Sequence, residues 1–450
     1  MPGVWILSPL VWLCCALAAP AAARCVDEDT LEAFSRGAMA PTSTPADPRG
    51  ALQQLVQEAL SRSHSIGASQ LLAAAAAQDI EEARAAKGIQ ASAGLSLGPA
   101  GARDSDGITE TTAAQLRASV TVSQLLYDGG RQQRLVDWRS QLAESARLGN
   151  LNLQEQVALT TVGLAVERSR LRSQVHVWTQ HMRKMGCMVQ ALETIVAADR
   201  GRTSELVQAR KSLEQADLSL TQTQSLVRQI EVRLRRLVGD GLPPIDGLTT
   251  VFSELPPLET LIADVERSFD IAQLGAQALA AGRLADANAA SRSPQLSWQL
   301  SAGAGASARR ENSSSPTGSY SLGLSLNIPL LAPGVEPGIK AARNRAEAAT
   351  LQRADALEAK RFRVADVHEQ ARSSLDRAIR LAKLLKSSDQ VRNFTLQQWQ
   401  QLGRRSLFDV MSAEAEHYGL RVAYVNALHD VQQLHANLLS LGRGVGTWLR

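Results

Sequence analysis

The chain has 450 residues, with 48 Lys and Arg against 44 Asp and Glu, and its net charge of +4 excludes the electrostatic signature of a nucleic-acid binder. Aromatic residues make up only 4%, which argues against one large compact core. Of the four cysteines, Cys14 and Cys15 lie in an N-terminal apolar run, and the remaining pair, Cys25 and Cys187, supports neither a disulfide framework nor a cysteine-based zinc site.

The run from Val4 to Ala19 is followed by Pro20 and three alanines, the small-residue pattern a signal peptidase cleaves, and predicts a signal peptide over residues 1–23. A membrane-anchoring helix is the alternative, but the run is shorter than the ~20 residues needed to cross a bilayer. Residues 24–49 form an N-terminal extension in which Cys25 is lipidated or free, and Arg24 disfavours lipidation because the processing site takes a small residue there. No later segment is apolar enough for a membrane helix, so any crossing must be made by strands.

A first structural repeat is predicted over 50–238. It begins with an Ala-rich helix and continues into a hairpin, 89–126, where Ala91, Ala93, Leu95 and Leu97, then Leu116, Ala118, Val120 and Val122, alternate with polar residues. Strands of about ten residues with one apolar face match an outer-membrane barrel, although a surface hairpin has the same pattern. No proline occurs from Ala100 to Leu242, which permits a long helix over 130–198. More than 60 residues at 1.5 Å each give a helix of roughly 100 Å. Gly201 with Thr203 and Ser204 marks a stop and restart. The return helix, 203–238, carries Leu206, Leu213, Leu220, Val227 and Leu234 at seven-residue spacing, the coiled-coil period.

A linker, 239–259, holds four of the 16 prolines. The pattern then recurs over 260–442: helices, a hairpin at 295–329, a long helix at 338–402, a turn at Gly403 with Ser406, and a heptad-bearing return helix at 406–441. A short tail, 443–450, follows. The fold class expected is mainly α with a small β part. Four strands cannot close a membrane barrel, whereas three copies supply twelve.

The junction segments SQLLYDGG (Ser123 to Gly130) and LNIPLLAPG (Leu326 to Gly334), and the turns GRTSELVQAR and GRRSLFDVMSA, resemble those of the TolC family of outer-membrane efflux and secretion ducts. The resemblance covers about Ala51 to Gly442. It implies a homotrimer with a 12-stranded barrel in outer-membrane lipid and a 12-helix periplasmic tunnel. It also implies a passive exit duct that works with a periplasmic membrane-fusion adaptor and an inner-membrane transporter of the ABC, RND or a similar class. The junction residues Gly129, Gly130, Pro329 and Gly334 carry the motif, and the turn residues Gly201, Thr203, Ser204, Gly403 and Ser406 would meet the adaptor. Ser412 stands where the family has a second tip aspartate, so one carboxylate ring is expected in place of two.

Within a trimer, three copies of Asp409 would ring the inner aperture, where crowded carboxylates bind cations. Capping is the equal alternative, since Ser406 and Asp409 have capping-box spacing. Arg200, Arg202, Arg404 and Arg405 make both turns basic, as latches to neighbours or as solvated residues. Trp298, Tyr320 and Tyr127 are candidate interfacial anchors. The seven histidines form no ligand cluster: His368-Glu369 is followed one turn on by Arg372, and His429 and His435 share a helix face poorly. No phosphate loop or nucleophile elbow occurs, so neither cofactor, metal nor enzymatic activity is expected. Cys187 is expected to be an inert helix residue. A soluble periplasmic coiled-coil scaffold or adaptor is the competing function.

Overall fold

A computed structural model describes residues 47–103, 110–243, 248–251, 255–308, 316–402 and 405–449. The expected signal peptide and Cys25 lie outside the described residues, as do Gly403 and Arg404. In chain order the elements are helices α1 (Pro48–Arg62) and α2 (His64–Ala85), strands β1 (Gln90–Arg103) and β2 (Glu110–Tyr127), and helices α3 (Arg131–Ala198) and α4 (Thr203–Val238). Helices α5 (Leu258–Val265) and α6 (Phe269–Ala289), strands β3 (Gln295–Ala308) and β4 (Pro316–Asn327), and helices α7 (Val335–Leu402), α8 (Leu407–Leu441) and α9 (Val445–Leu449) follow.

α3 and α7 are each 68 residues long. α7 starts three residues before the expected position because Pro337 sits in its first turn, where a missing N–H has no intrahelical acceptor to lose. α4 has Glu205 in its first turn and Arg235 and Arg236 in its last, the charge order that its dipole favours. Of its seven-spaced positions Leu206, Leu220 and Leu234 are buried, while Leu213 and Val227 are half-buried.

The four strands form one antiparallel sheet in the order β1-β2-β3-β4. Register carries the period-two pattern across all four strands. Ala91, Val122, Leu300 and Leu322 form one row, Ala93, Val120, Ala302 and Tyr320 the next, and both belong to a continuous apolar face. On the other face Ser92, Thr121, Ser301 and Ser321 align, with Ser301 and Ser321 hydroxyls 2.7 Å apart.

The chain divides into two compact units. Among the described residues, one comprises 171–227 and 379–425. Its core joins Met185, Val189 and Leu192 of α3 to Leu206 and Ala209 of α4 and to Leu407, Val410 and Met411 of α8. The other comprises 47–170, 228–378 and 426–449. There Leu52, Leu55 and Val56 of α1 pack with Ala158, Val162 and Val166 of α3, Leu234 of α4, and Val445 and Leu449 of α9.

The segment expected as a tail is thus a helix whose apolar residues enter a core. Glu155 of α3, itself buried, accepts hydrogen bonds from the N–H of Val445 and, at 3.1 Å, of Gly446. Gly444 turns the chain into α9 at φ +101, a left-handed conformation, and any Cβ there would meet the Glu155 carboxylate at 2.5 Å. The guanidinium of Arg49 lies 4.4 Å from the Trp448 ring and closes the same corner.

Two groups in this second unit make stability pH-dependent. Burial holds the His435 imidazole down to about 4. Burial alone would raise the Asp270 carboxyl, but the Lys360 ammonium, 2.6 Å away, together with Ser268 and the Ile271 N–H, holds it below its usual range. The unfolded histidine takes up a proton near pH ~6.5, so the stabilisation from neutral His435 is complete above that value and is lost as pH falls toward the folded value. The Asp270 contribution is lost at lower pH still, as its carboxyl protonates. Melting temperature should therefore fall between pH 7 and 4.5, by the equivalent of ~2–3 kcal/mol from His435. Scanning calorimetry of wild type and His435→Gln at both values checks this, with a shallower acid slope expected in the variant.

Candidate functional site

The helix turns are built from local polar contacts over a shared apolar core. At the first, Asp199 accepts a hydrogen bond from the Gly201 N–H at 2.9 Å, and the Thr203 hydroxyl donates to the Arg200 carbonyl at 2.7 Å. Arg202 is paired with Glu205 at 2.7 Å. Asp199 and Glu205 thus stand beside Arg200 and Arg202 in this turn. Arg200, Thr203 and Ser204 are exposed.

At the second turn Ser406 and Asp409 form a reciprocal capping box. The Asp409 N–H donates to the Ser406 hydroxyl at 3.2 Å, and the Ser406 N–H donates to the Asp409 carboxylate at 3.1 Å. The Ser406 hydroxyl also donates to that carboxylate at 3.0 Å. Arg405 turns back to Gln398 at 3.2 Å, while Gly403 and Arg404 lie outside the described residues. Leu206 beyond the first turn and Leu407 and Val410 beyond the second pack in one cluster with Leu192, so both turns stand on the same core.

The two strand-to-helix junctions differ. At the first, Gly129 and Gly130 have φ +64 and +80, and the buried Asp128 carboxylate accepts from the N–H groups of Gly130 at 3.0 Å and Gln132 at 2.6 Å. A Cβ on Gly129 would lie 2.2 Å from the Ser293 side chain, so both backbone conformation and space demand glycine. At the second, Gly334 has no positive φ and nothing within 4 Å of a built Cβ. Pro329 is exposed, and Leu330 and Leu331 beyond it are each 91% exposed.

Among the expected aromatic anchors, Trp298 is half-buried and its indole N–H donates to Gln124 at 3.1 Å, whereas Tyr320 and Tyr127 are exposed. Cys187 is disulfide-bonded, which corrects its reading as an inert helix residue. Cys14, Cys15 and Cys25 lie outside the described residues.

Sequence reasoning missed a buried polar belt in the first unit. Arg392 reaches Asp389 at 2.8 Å and the fully buried Glu414 at 3.5 Å. Arg421 donates to Gln180 and lies 5.1 Å from the Tyr418 ring, which stacks on His181 at 4.5 Å. His417 meets Ser388 at 3.3 Å. In the second unit His429 meets Ser169 at 3.2 Å. The sequence signal was the placement of Glu414, His417 and Arg421 three and four residues apart, one helix face of polar groups. No group of three or more His, Cys, Asp or Glu residues that would hold a metal ion occurs among the described residues, nor is any described helix long and apolar enough to cross a membrane.

Residues 264–442 match the outer membrane efflux protein family. No curated protein sequence matches the chain. Solved structures share its fold. CusC superposes with a TM-score of 0.75 at 18% identity, over 87% of this chain and 92% of its own. A membrane protein from Pseudomonas aeruginosa gives 0.75 at 17%, over 88% and 91%. The outer membrane protein VceC from Vibrio cholerae gives 0.73 at 18%, over 87% and 96%.

The junction glycines should respond differently to substitution. Gly129→Ala forces a side chain into a left-handed conformation at ~1–2 kcal/mol and a clash with Ser293 besides, whereas Gly334→Ala should be neutral. Melting temperatures and folded yield of the two variants check this.

Proposed function

We propose that this chain, which carries an outer membrane efflux protein domain over residues 264–442, assembles as a homotrimeric channel-tunnel in the outer membrane of a Gram-negative bacterium. It is the passive exit duct of a tripartite efflux or type I secretion system, working with a periplasmic adaptor and an inner-membrane transporter.

The observation that carries this reading is the apolar face of the sheet. Leu97, Tyr320 and Leu324 are 77%, 90% and 73% exposed, and Leu95, Leu322 and Leu326 extend the same face. At ~25 cal/mol per Å² such a surface is strongly unfavourable in water and is satisfied by lipid. β1 and β4 end the sheet with a free edge each. Edges in lipid must be paired, and three sheets of four strands close a ring of twelve. Exposed Val207, Leu218 and Val232 on α4, with Leu351 and Phe362 on α7, offer apolar helix surface to neighbouring copies.

The expected outcome is a trimer by native mass measurement in detergent. A monomer retaining its full strand content would reject the reading. Leu324→Arg, on the lipid face, should lower trimer yield by an equivalent of ~2–4 kcal/mol near the bilayer midplane. Ser325→Arg, on the opposite face, should leave assembly intact and alter conductance.

The gate is the finer part of the proposal. Three Asp409 carboxylates at the periplasmic aperture would bind multivalent cations, with the arginines of the turns beside them. Because the same carboxylate caps α8, Asp409→Asn is the informative change: it keeps an acceptor for the Ser406 N–H and removes the charge. Block of single-channel current by a trivalent cation should be lost in Asp409→Asn with folding unchanged. Ser412→Asp should strengthen the block, and undiminished block in Asp409→Asn would leave the residue only its capping role.

A further inference from the structure

Among the described residues the polar face of the sheet is lined by neutral residues, mainly Ser, Gly, Thr and Gln, with one exception. Among the described strand residues with placed side chains, 90–99, 114–127, 295–306 and 317–327, Arg117 is the sole charged group. Its row across the sheet reads Ser96, Arg117, Gly305 and Thr317. The neighbouring row on the same face reads Gly94, Ser119, Gly303 and Ser319. Arg117 is exposed, and no carboxylate occurs in these stretches to neutralise it. Its row stands six residues beyond the Gln90–Ser123 pair. That is about 20 Å along the strands, midway along β1 and one pair before the Ala306–Pro316 pair that ends the β3–β4 ladder.

Position and surroundings both bear on what this side chain can do. It projects on the face opposite the lipid-facing leucines, and the glycines and serines beside it leave the guanidinium free to extend. A guanidinium presents a planar fork of N–H donors matched to carboxylates and related oxyanions, and it stays charged at all physiological pH.

We propose that Arg117 biases the barrel section of the pore toward anions, three copies forming a cationic ring in the lumen in series with the carboxylates proposed at the periplasmic aperture, and that the cargo class favoured there is organic anions bearing carboxylate or similar groups. This rests on the trimeric-channel reading above and adds the substrate chemistry to it. The ring acts over about one Debye length, ~8 Å at physiological ionic strength and ~3 Å at 1 M, so the preference is strong in dilute salt and fades in concentrated salt.

Planar-bilayer recordings of the purified full-length protein under a KCl gradient test the proposal. In an Asp409→Asn background, which removes the carboxylates proposed at the aperture, the channel should show a reversal potential of the sign for chloride preference at low salt, shrinking toward zero as both sides approach molar salt. Arg117→Ser should lose most of that potential with unchanged trimer yield, Arg117→Lys should retain it, and Arg117→Glu should reverse its sign. Citrate, used as a polyanionic probe, should interrupt wild-type current and not that of Arg117→Ser. Identical reversal potentials in the Asp409→Asn background with and without Arg117→Ser would overturn the ring while leaving the channel intact. Absence of any conductance from a trimeric preparation would overturn the channel reading and the ring with it.

Discussion

An exposed apolar face with open ladders at both sheet edges is the constraint on which the rest depends. On the proposed function both demands are met together, lipid covering the face and strands of other copies taking up the edges. Each chain supplies two hairpins, and each hairpin is followed by a helix of 68 residues. The repeat therefore couples strand count to helix count, and whatever number of copies closes the sheet fixes how many long helices stand with it.

The long elements were legible because their signals are local and cumulative. Absence of proline over more than 60 positions and enrichment in Ala, Leu, Gln, Glu and Arg leave little but helix, and α3 and α7 end at Ala198 and Leu402, shortly before Gly201 and Gly403 in the sequence. Period two gave the strands, and because a one-residue slip would reverse every side chain, the same pattern fixes the register seen from Ala91 to Leu322.

Contacts distant in sequence were not legible. Glu155 lies 290 positions from the Val445 N–H that it receives, and nothing in the residues around either announces the other. Arg421 and Gln180 are 241 apart. Asp409 shows the opposite difficulty. Its spacing from Ser406 predicts a capping box on local grounds, and the box is present, yet a role at an aperture depends on where two other copies stand. Asp199 and Glu205 are visible in the sequence but were outweighed by the arginines beside them, because a count of charge does not reveal which side chains meet.

The docking of α9 has a consequence for the order of events in biogenesis. Val445 and Leu449 complete a core begun by Leu52, Leu55 and Val56 nearly four hundred residues earlier, and the buried Glu155 carboxylate of α3 accepts from the amides of Val445 and Gly446. A chain delivered from its N-terminal end must hold that corner open until the far segment arrives. Without residues 445–449 the core around Leu52, Leu55 and Val56 would be left unfilled and the buried Glu155 carboxylate would lose the amides of Val445 and Gly446.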